Sequence, residues 1–254
     1  MLETYLKNRL KEKDILLMTH IVLGYPSFED SLRIVEAMVE AGVDLMELQI
    51  PFSEPIADGP VILRCNQRSL ACGSTVDQCL DFGAEVAGRF DIPFLYMTYY
   101  NICYRKGIDA FTDAMVRGGI RGAIVPDLPP EEGEDFWSAM SRKSLDPVLI
   151  YSPTTSLRRM KEIASYGRGL VYCVARKGVT GARTDFSAEL DDYLSRCRAA
   201  TDLPLALGFG VKDRADVDFL KGKADIAVIG TQTIRLIDER GVDAVGDFIR
   251  GLRD

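Results

Sequence analysis

A strand-like apolar segment followed by a helix-like segment recurs eight times along this 254-residue chain. The apolar segments lie at 15–23, 45–50, 93–99, 122–125, 147–151, 169–174, 203–207 and 225–229. Short, nearly continuous apolar runs are typical of buried parallel strands. Strict alternation of strand and helix requires a parallel sheet, because each helix carries the chain back to the same edge.

Helical patterns occupy the intervals between these strands, at 28–41, 61–72, 76–89, 108–117, 131–143, 156–165, 187–199, 213–221, 231–238 and 242–252. Eight such units in about 250 residues fit a closed (β/α)8 TIM barrel better than an open sheet. No G-x-G-x-x-G follows the first strand, which also weighs against a dinucleotide-binding fold. Because no linker appears, we expect one domain over 1–254 with an additional amphipathic N-terminal helix.

Composition and charge exclude several classes of protein. The formal net charge of −7 lacks the basic footprint that nucleic-acid binding needs. No apolar run approaches the ~18 residues of a membrane span, and the charged N-terminal sequence does not resemble a signal peptide. With one His and no C-x-x-C pair among six Cys, a metal site is not expected. We expect a cytoplasmic protein with reduced thiols.

The segment Asp44–Pro60 begins as the second strand and ends as a loop rich in Pro, Gly and acidic residues. Alternation along the strand places Glu47 on the same face as Leu45 and Gln49. A lone carboxylate is costly to bury unless something uses it, and a second carboxylate, Asp58, follows in the loop. Two acids at the end of one strand indicate proton chemistry. The alternative is that Glu47 pairs with a buried Arg or Lys and Asp58 caps the next helix.

Glycines follow the last two strands. Gly208-Phe-Gly210 comes after the seventh strand, and Gly230-Thr231 comes after the eighth and opens a helix. Glycine lets backbone N–H groups approach an anion, and a helix N-terminus adds a favourable dipole. These loops are a frequent phosphate site in TIM barrels, although tight turns alone also need glycine.

A long polar segment, 176–183, follows the sixth strand and contains two Gly. It is either a plain surface loop or a lid that excludes water from bound substrate. Gly181 within it could also donate its N–H to a phosphate. Tyr99, Tyr172 and His20 end the third, sixth and first strands, where each is either a packing residue or part of the site.

Residues 47–60, ELQIPFSEPIADGP, resemble the signature E-L-G-[IV]-P-F-S-D-P-x-A-D-G-P of the tryptophan synthase alpha chain family. Shorter motifs at 97–101, 126–129, 152–155, 178–181, 208–210 and 230–231 follow in the family's order. The resemblance covers essentially the whole chain. It implies a lyase of tryptophan biosynthesis that cleaves indole-3-glycerol phosphate to indole and glyceraldehyde 3-phosphate. No cofactor is implied for this chain.

The resemblance also implies roles for individual residues. Glu47 matches the acid–base catalyst, Asp58 the carboxylate that holds the indole N–H, and Tyr172 a tyrosine beside the substrate. Thr180 matches a lid threonine that contacts Asp58 on closure. Other implied substrate-binding residues are Met97, Tyr99, Ile124, Ile150 and Phe209. The implied phosphate-binding residues are Gly181, Gly210, Gly230 and Thr231.

Four positions depart from the family's pattern. Gln49 replaces the glycine of the signature, on the strand face that carries Glu47, where it would either hydrogen-bond the catalyst or crowd the substrate slot. Glu54 replaces the usual Asp. His20 stands where an aromatic or small apolar residue is commoner, and Thr231 replaces Ser while keeping the hydroxyl.

The resemblance further implies a heterotetramer (alpha2beta2) with a tryptophan synthase beta chain that carries pyridoxal phosphate and receives indole. Residues 51–60 and 101–106 would form the docking surface. One alternative is a stand-alone lyase or an enzyme that has drifted to a related sugar phosphate, which Gln49 and His20 would favour. Another is a non-catalytic partner that activates the beta chain allosterically.

Overall fold

Eight parallel strands form a closed barrel in the computed structural model, which describes residues 1–175, 183–208 and 210–253. The strands are β1 Leu16–Val22, β2 Leu45–Gln49, β3 Phe94–Met97, β4 Gly122–Ile124, β5 Asp146–Tyr151, β6 Val171–Val174, β7 Leu205–Gly208 and β8 Ile226–Ile229. Each strand pairs with the next in sequence, and β1 closes the barrel by pairing with β8. The predicted TIM barrel is confirmed.

Helices alternate with the strands, and a helix precedes β1 as predicted. They are α1 Leu2–Arg9, α2 Phe28–Glu40, α3 Pro60–Ala71, α4 Val76–Arg89, α5 Tyr100–Lys106, α6 Ile108–Arg117, α7 Glu134–Arg142, α8 Leu157–Ala164, α9 Arg183–Ala200, α10 Arg214–Leu220, α11 Thr231–Arg240 and α12 Val245–Gly251. Short 3-10 turns lie at Pro130–Glu132 and Val242–Ala244. In the described part of the chain, no helix is long and apolar enough to cross a bilayer.

Two helix starts show how the local sequence sets these boundaries. Ser27 caps α2 by accepting the N–H of Asp30 at 3.0 Å. Thr75 and Gln78 form a reciprocal capping box at the start of α4. These caps satisfy N–H groups that have no partner within the helix.

The region after β3 differs from the sequence-based expectation. We predicted that the third strand reaches Tyr99, but β3 ends at Met97. Tyr99 is instead the residue that precedes α5, a seven-residue helix that the sequence pattern did not predict. Tyr99 therefore belongs to the loop and not to a strand.

Alternate residues of the strands pack into two hydrophobic clusters. Leu45 of β2 joins one cluster together with Met18 and Met97, whereas its neighbour Met46 joins the other. Leu2 of α1 packs in the first cluster, and its N–H donates to Asp146 at the start of β5 at 3.2 Å. Helix α1 thus covers the amino end of the barrel, which leaves the carboxyl end for a site.

A buried carboxylate ties the chain together at the amino end. Asp44, just before β2, accepts hydrogen bonds from Arg9 at 3.2 Å, Lys13 at 2.5 Å and the N–H of Leu17 at 2.9 Å. Arg253 also donates to it. Burial alone would raise the pKa of Asp44, but these donors hold that pKa below its usual value. The cluster joins the first helix, two strands and the C-terminal segment.

Candidate active site

A cavity of about 220 Å³ lies at the carboxyl ends of the strands, where TIM-barrel active sites are found. This volume is several times the ~30 Å³ share of one water molecule. The structure brings nine of the predicted site residues together in its lining: Glu47, Asp58, Met97, Ile124, Ile150, Tyr172, Gly210, Gly230 and Thr231. His20, one of the departures from the family pattern, also lines it.

Tyr99 is placed beside the cavity but does not line it. It is fully buried, its ring stacks on Phe52 at 5.1 Å between centroids, and its hydroxyl accepts the N–H of Ala57 at 3.2 Å. The Asp58 carboxylate lies close enough to raise the pKa of Tyr99, after the larger effect of burial. Tyr99 therefore supports the loop that carries Asp58.

Three predicted residues, Thr180, Gly181 and Phe209, lie outside the described residues, as does 176–182 of the predicted lid. Sequence reasoning also missed several lining residues: Ala57, Gly59, Ile62, Val174, Val211 and Val228. A signal for Val228 was available, because strand alternation places it on the face of β8 that joins the same cluster as Leu45.

Glu47 is buried on β2 and faces His20, its register neighbour on β1. Nδ1 of His20 lies 3.0 Å from Oε1 of Glu47, and the two residues are 5% and 4% exposed. The alternative interpretation, in which Glu47 pairs with a buried Arg or Lys, is wrong, because the partner of this carboxylate is His20. Oε2 of Glu47 has no hydrogen-bond partner among the described residues, and it is therefore available to a ligand.

Asp58 is held by Gln49. The amide Nε2 of Gln49 donates to Oδ2 of Asp58 at 2.6 Å, and Nδ2 of Asn66 lies at 3.5 Å from the same oxygen. Helix α3 begins after Gly59 without a side-chain cap, so Asp58 does not cap it. Burial raises the pKa of Asp58, although the bond from Gln49 opposes the rise. The structure shows neither of the two roles expected for Gln49, because its amide nitrogen bonds Asp58 and not Glu47, and Gln49 is not among the residues that line the cavity.

The side of the cavity between these acids and β7 is mainly apolar, with one hydroxyl. Ile150 of β5 lies in register with Tyr172 of β6, and Met97 and Ile124 join the lining. Burial, with the charges of Glu47 and Asp58, raises the pKa of Tyr172 well above its ordinary value. Tyr172 is therefore a neutral hydroxyl that can donate a hydrogen bond.

Glycine turns form the opposite part of the lining. Gly230 immediately precedes the ten-residue helix α11, whose first turn carries no acidic residue. Gly210 has φ = +82°, a conformation that favours glycine. The N–H groups and dipole of a helix N-terminus stabilise an anion. This part of the cavity is suited to a phosphate group.

The cavity thus combines the buried carboxylate of Glu47 and the half-buried carboxylate of Asp58, an apolar surface that fits a flat ring, and a helix N-terminus that fits an anion. Among the described residues, no group of three or more acidic, His or Cys side chains is arranged to hold a metal ion. The fold and this cavity define an enzyme of the TIM-barrel class.

Comparisons with known proteins give the family. The model of the tryptophan synthase alpha chain family matches residues 6–248. The tryptophan synthase alpha chain of Syntrophotalea carbinolica is 63% identical over 253 residues, covering 100% of each chain. That of Desulforapulum autotrophicum is 60% identical, covering 99% of this chain and 100% of its own. The chain belongs to the tryptophan synthase alpha chain family.

Solved structures agree with this assignment. Tryptophan synthase subunit alpha from Legionella pneumophila superimposes with a TM-score of 0.90 at 29% identity, covering 99% of this chain and 96% of that one. A chain of Mycobacterium tuberculosis tryptophan synthase gives 0.89 at 29% identity with the same coverage.

Proposed function

We propose that this chain cleaves indole-3-glycerol phosphate to indole and glyceraldehyde 3-phosphate, the lyase reaction of its family. The observation that carries the proposal is that Glu47 and Asp58 share one cavity with the Gly230–Thr231 helix start. The reaction needs a proton donor to carbon, an anion beside a developing positive charge, and an anchor for the distant phosphate. These residues supply all three.

Glu47 is the proposed acid–base group. Its Oε2 gives a proton to C3 of the indole ring, which makes the ring a cationic indolenine and weakens the bond to the glycerol chain. As that bond breaks, the adjacent glycerol hydroxyl loses its proton to the same carboxylate. The carboxylate is thereby reset in one turnover. Because Oε2 has no other partner, this exchange needs no bond within the protein to be broken.

Asp58 is the proposed partner of the indole nitrogen. A carboxylate that accepts the ring N–H stabilises the positive charge that the indolenine develops. Gln49 occupies Oδ2 of Asp58, so the proposed acceptor is the other oxygen. The neutral hydroxyl of Tyr172 would donate to an oxygen of the glycerol chain. Met97, Ile124 and Ile150 would hold the ring.

The phosphate is proposed to bind at the N-terminus of α11, through the N–H groups of Gly230 and Thr231 and the turn at Gly210. Binding energy from this remote group would position the reacting atoms near Glu47. The hydroxyl of Thr231 adds one donor. The family resemblance alone supports three further roles: Thr180 as the lid threonine that contacts Asp58, Gly181 as a phosphate-binding residue, and Phe209 as part of the apolar wall around the indole ring.

We further propose that the chain works with a tryptophan synthase beta chain in an alpha2beta2 complex in the cytoplasm. Ile56 and Tyr104, within the two segments expected to dock, are 80% and 66% exposed, so each segment offers one large apolar side chain to a partner. Pyridoxal phosphate belongs to the beta chain, and we propose no cofactor for this chain.

The test is indole release from indole-3-glycerol phosphate by the purified chain, alone and with its beta chain. We expect slow release alone and faster release in the complex. Absence of release in both would overturn the proposal. Full release without any acceleration by the beta chain would instead favour a stand-alone lyase. No indole release, together with faster tryptophan formation from added indole by the beta chain that Glu47→Gln leaves unchanged, would favour an allosteric, non-catalytic role.

A further inference from the structure

His20 and Glu47 face each other across the first two strands, and each has one bonded and one free polar atom. Nδ1 of His20 and Oε1 of Glu47 are 3.0 Å apart. Nε2 of His20 and Oε2 of Glu47 are buried and have no hydrogen-bond partner among the described residues. Both residues line the cavity.

The chemistry of the pair fixes which atoms carry protons. Oε1 of Glu47 accepts a hydrogen bond both when the carboxylate is ionised and when the exchanged proton is on Oε2, so Nδ1 of His20 is the donor in the bond to Oε1. This bond selects the ring tautomer and holds the carboxyl group in one orientation. Oε1 is thereby occupied and Oε2 is left for the reaction.

The remaining groups around the imidazole ring are also acceptors. Gln49 gives its amide nitrogen to Asp58, which leaves its buried carbonyl oxygen without a hydrogen-bond partner among the described residues. The ionisable groups that act on the ring are Glu47 of β2 and Asp58 of the following loop. From β8, Gly230 packs on the ring side chain, since a Cβ there would lie 3.4 Å from the Cβ of His20.

This arrangement favours a protonated ring. Burial alone would lower the pKa of His20, but the charges of Glu47 and Asp58 and the bond to Glu47 raise that pKa above its ordinary value. A cation between two carboxylates also offsets their mutual repulsion. The family resemblance implies an aromatic or small apolar residue at this position, and this chain has a basic ring there instead.

We propose that His20 is a positioning residue of the reaction, which holds Oε1 of Glu47 so that Oε2 alone exchanges the proton with the substrate. The proposal rests on the lyase function proposed above. Oε2 gives its proton to indole C3 and regains one from the glycerol hydroxyl as the carbon–carbon bond breaks. His20 keeps its Nδ1 proton throughout, so the protons balance within one turnover.

Two variants separate positioning from packing. His20→Phe keeps an aromatic ring but has no N–H, whereas His20→Asn keeps a short N–H donor near Nδ1. We expect His20→Phe to lower kcat by about 10- to 100-fold, comparable to the cost of removing a residue that orients a metal ligand, with little change in KM. His20→Asn should recover most of this loss. Unchanged kcat in His20→Phe, or equal losses in both variants, would overturn the proposal.

A second measurement does not depend on the reaction. The chain has one His, so the imidazole signals in an NMR titration of the untagged protein need no assignment. We expect a midpoint above ~6.5 that falls clearly in Glu47→Gln. A midpoint that is the same in both proteins would overturn the pairing even if lyase activity is found. If lyase activity is absent but the midpoint shifts, the proposed function fails while the pairing stands.

Discussion

Nε2 of Gln49 lies 2.6 Å from Oδ2 of Asp58, although the two residues are nine positions apart on a strand and the loop that follows it. Gln49 replaces the glycine of the family signature, and His20, a second departure from the family's pattern, bonds Glu47. Each unusual residue therefore holds one of the two carboxylates. The departures add hydrogen bonds to the proposed machinery and do not displace it.

Replacing Glu47 by Gln should lower kcat for indole release by about 100- to 10,000-fold, because the variant keeps the shape but cannot exchange a proton. KM should change little, since the phosphate anchor and apolar surface are intact. Steady-state kinetics with indole-3-glycerol phosphate measures both. The matched control is Glu239→Gln, because Glu239 is exposed near the end of α11. Near-normal turnover in Glu47→Gln would contradict the acid–base role of Glu47.

Replacing Asp58 by Asn should lower kcat by about 100- to 1,000-fold, the usual cost of removing one group that stabilises a developing charge. The same variant should be more stable. Because folding raises the pKa of Asp58, its contribution to stability is present at low pH and is lost as the pH rises through the folded-state pKa. At pH 7 the neutral Asn avoids this cost, and Tm should rise by on the order of 2 °C.

Thermal denaturation at pH 7 and at low pH tests the stability part. The gain in Asp58→Asn should shrink as the pH falls below ~4, where the Asp becomes protonated in both the folded and the unfolded state. Asp14→Asn is the control, because Asp14 is exposed before β1 at the other end of the barrel. A fall in Tm at pH 7 in Asp58→Asn alone would show that the ionised carboxylate stabilises the fold.

Replacing Gln49 by Leu should move the acid limb of the pH–rate profile to higher pH. The hydrogen bond from Gln49 lowers the pKa of Asp58, so its loss raises that pKa further. Activity that needs ionised Asp58 is then lost at a higher pH as the solution is acidified. The control is Gln67→Leu, on the exposed face of α3, which should not shift the acid limb of the pH–rate profile. If Gln49→Leu does not shift the acid limb either, ionisation of Asp58 does not determine it.

Replacing Gly208 by Ala should raise KM and lower kcat through Tyr172. A Cβ at Gly208 would lie 2.9 Å from the hydroxyl oxygen of Tyr172, so the half-buried ring must shift. Tyr172→Phe alone should lower kcat/KM about 10-fold by removing one hydrogen bond. In the double variant, which carries both Gly208→Ala and Tyr172→Phe, the contact with the hydroxyl oxygen is absent. Gly208→Ala should therefore lower kcat/KM less in the Tyr172→Phe background than in the unmodified protein. Strictly additive losses in this double-mutant cycle would exclude the contact.

Replacing Asp44 by Asn should cost about 3 kcal/mol of unfolding free energy, because it leaves Arg9, Lys13 and Arg253 without a buried counter-charge. Since the folded-state pKa of Asp44 is lowered, its contribution is present above the unfolded-state pKa and is lost as the pH falls through the folded-state value. Urea denaturation at pH 7 and at acid pH measures both effects. Lyase kcat should be unaffected below the unfolding range.

The eight strands could be predicted because each is a short apolar run bounded by turn residues, a signal that depends only on local sequence. Helix α5 could not, because it has seven residues, of which only Ile102 and Cys103 are buried. The sequence-based prediction also ended β3 at Tyr99, two residues later than Met97, again because the local sequence was misleading. The aromatic residues after Met97 look strand-like, whereas Tyr99 packs on Phe52 as part of the loop.

The cavity lining could be predicted largely from strand ends and from the family signature. The hydrogen bonds inside it could not. The pairing of His20 with Glu47 depends on the stagger of β1 against β2, which barrel closure sets and which neither strand encodes alone. The bond from Gln49 to Asp58 depends on the path of the loop back over the strand, and alternation predicted only that Gln49 shares a face with Glu47.

His20 and Glu47 are register neighbours on β1 and β2, and this has a consequence for exchanging strands between members of the family. Register neighbours on adjacent strands lie side by side on the same face of the barrel, so a residue acquired on one strand acts directly on its neighbour. The family signature carries a Glu at the position of Glu47 whatever residue stands at position 20. A chimera that takes its first strand from a relative without this His should therefore fold and keep the carboxyl group, and lose only the hydrogen bond to Oε1.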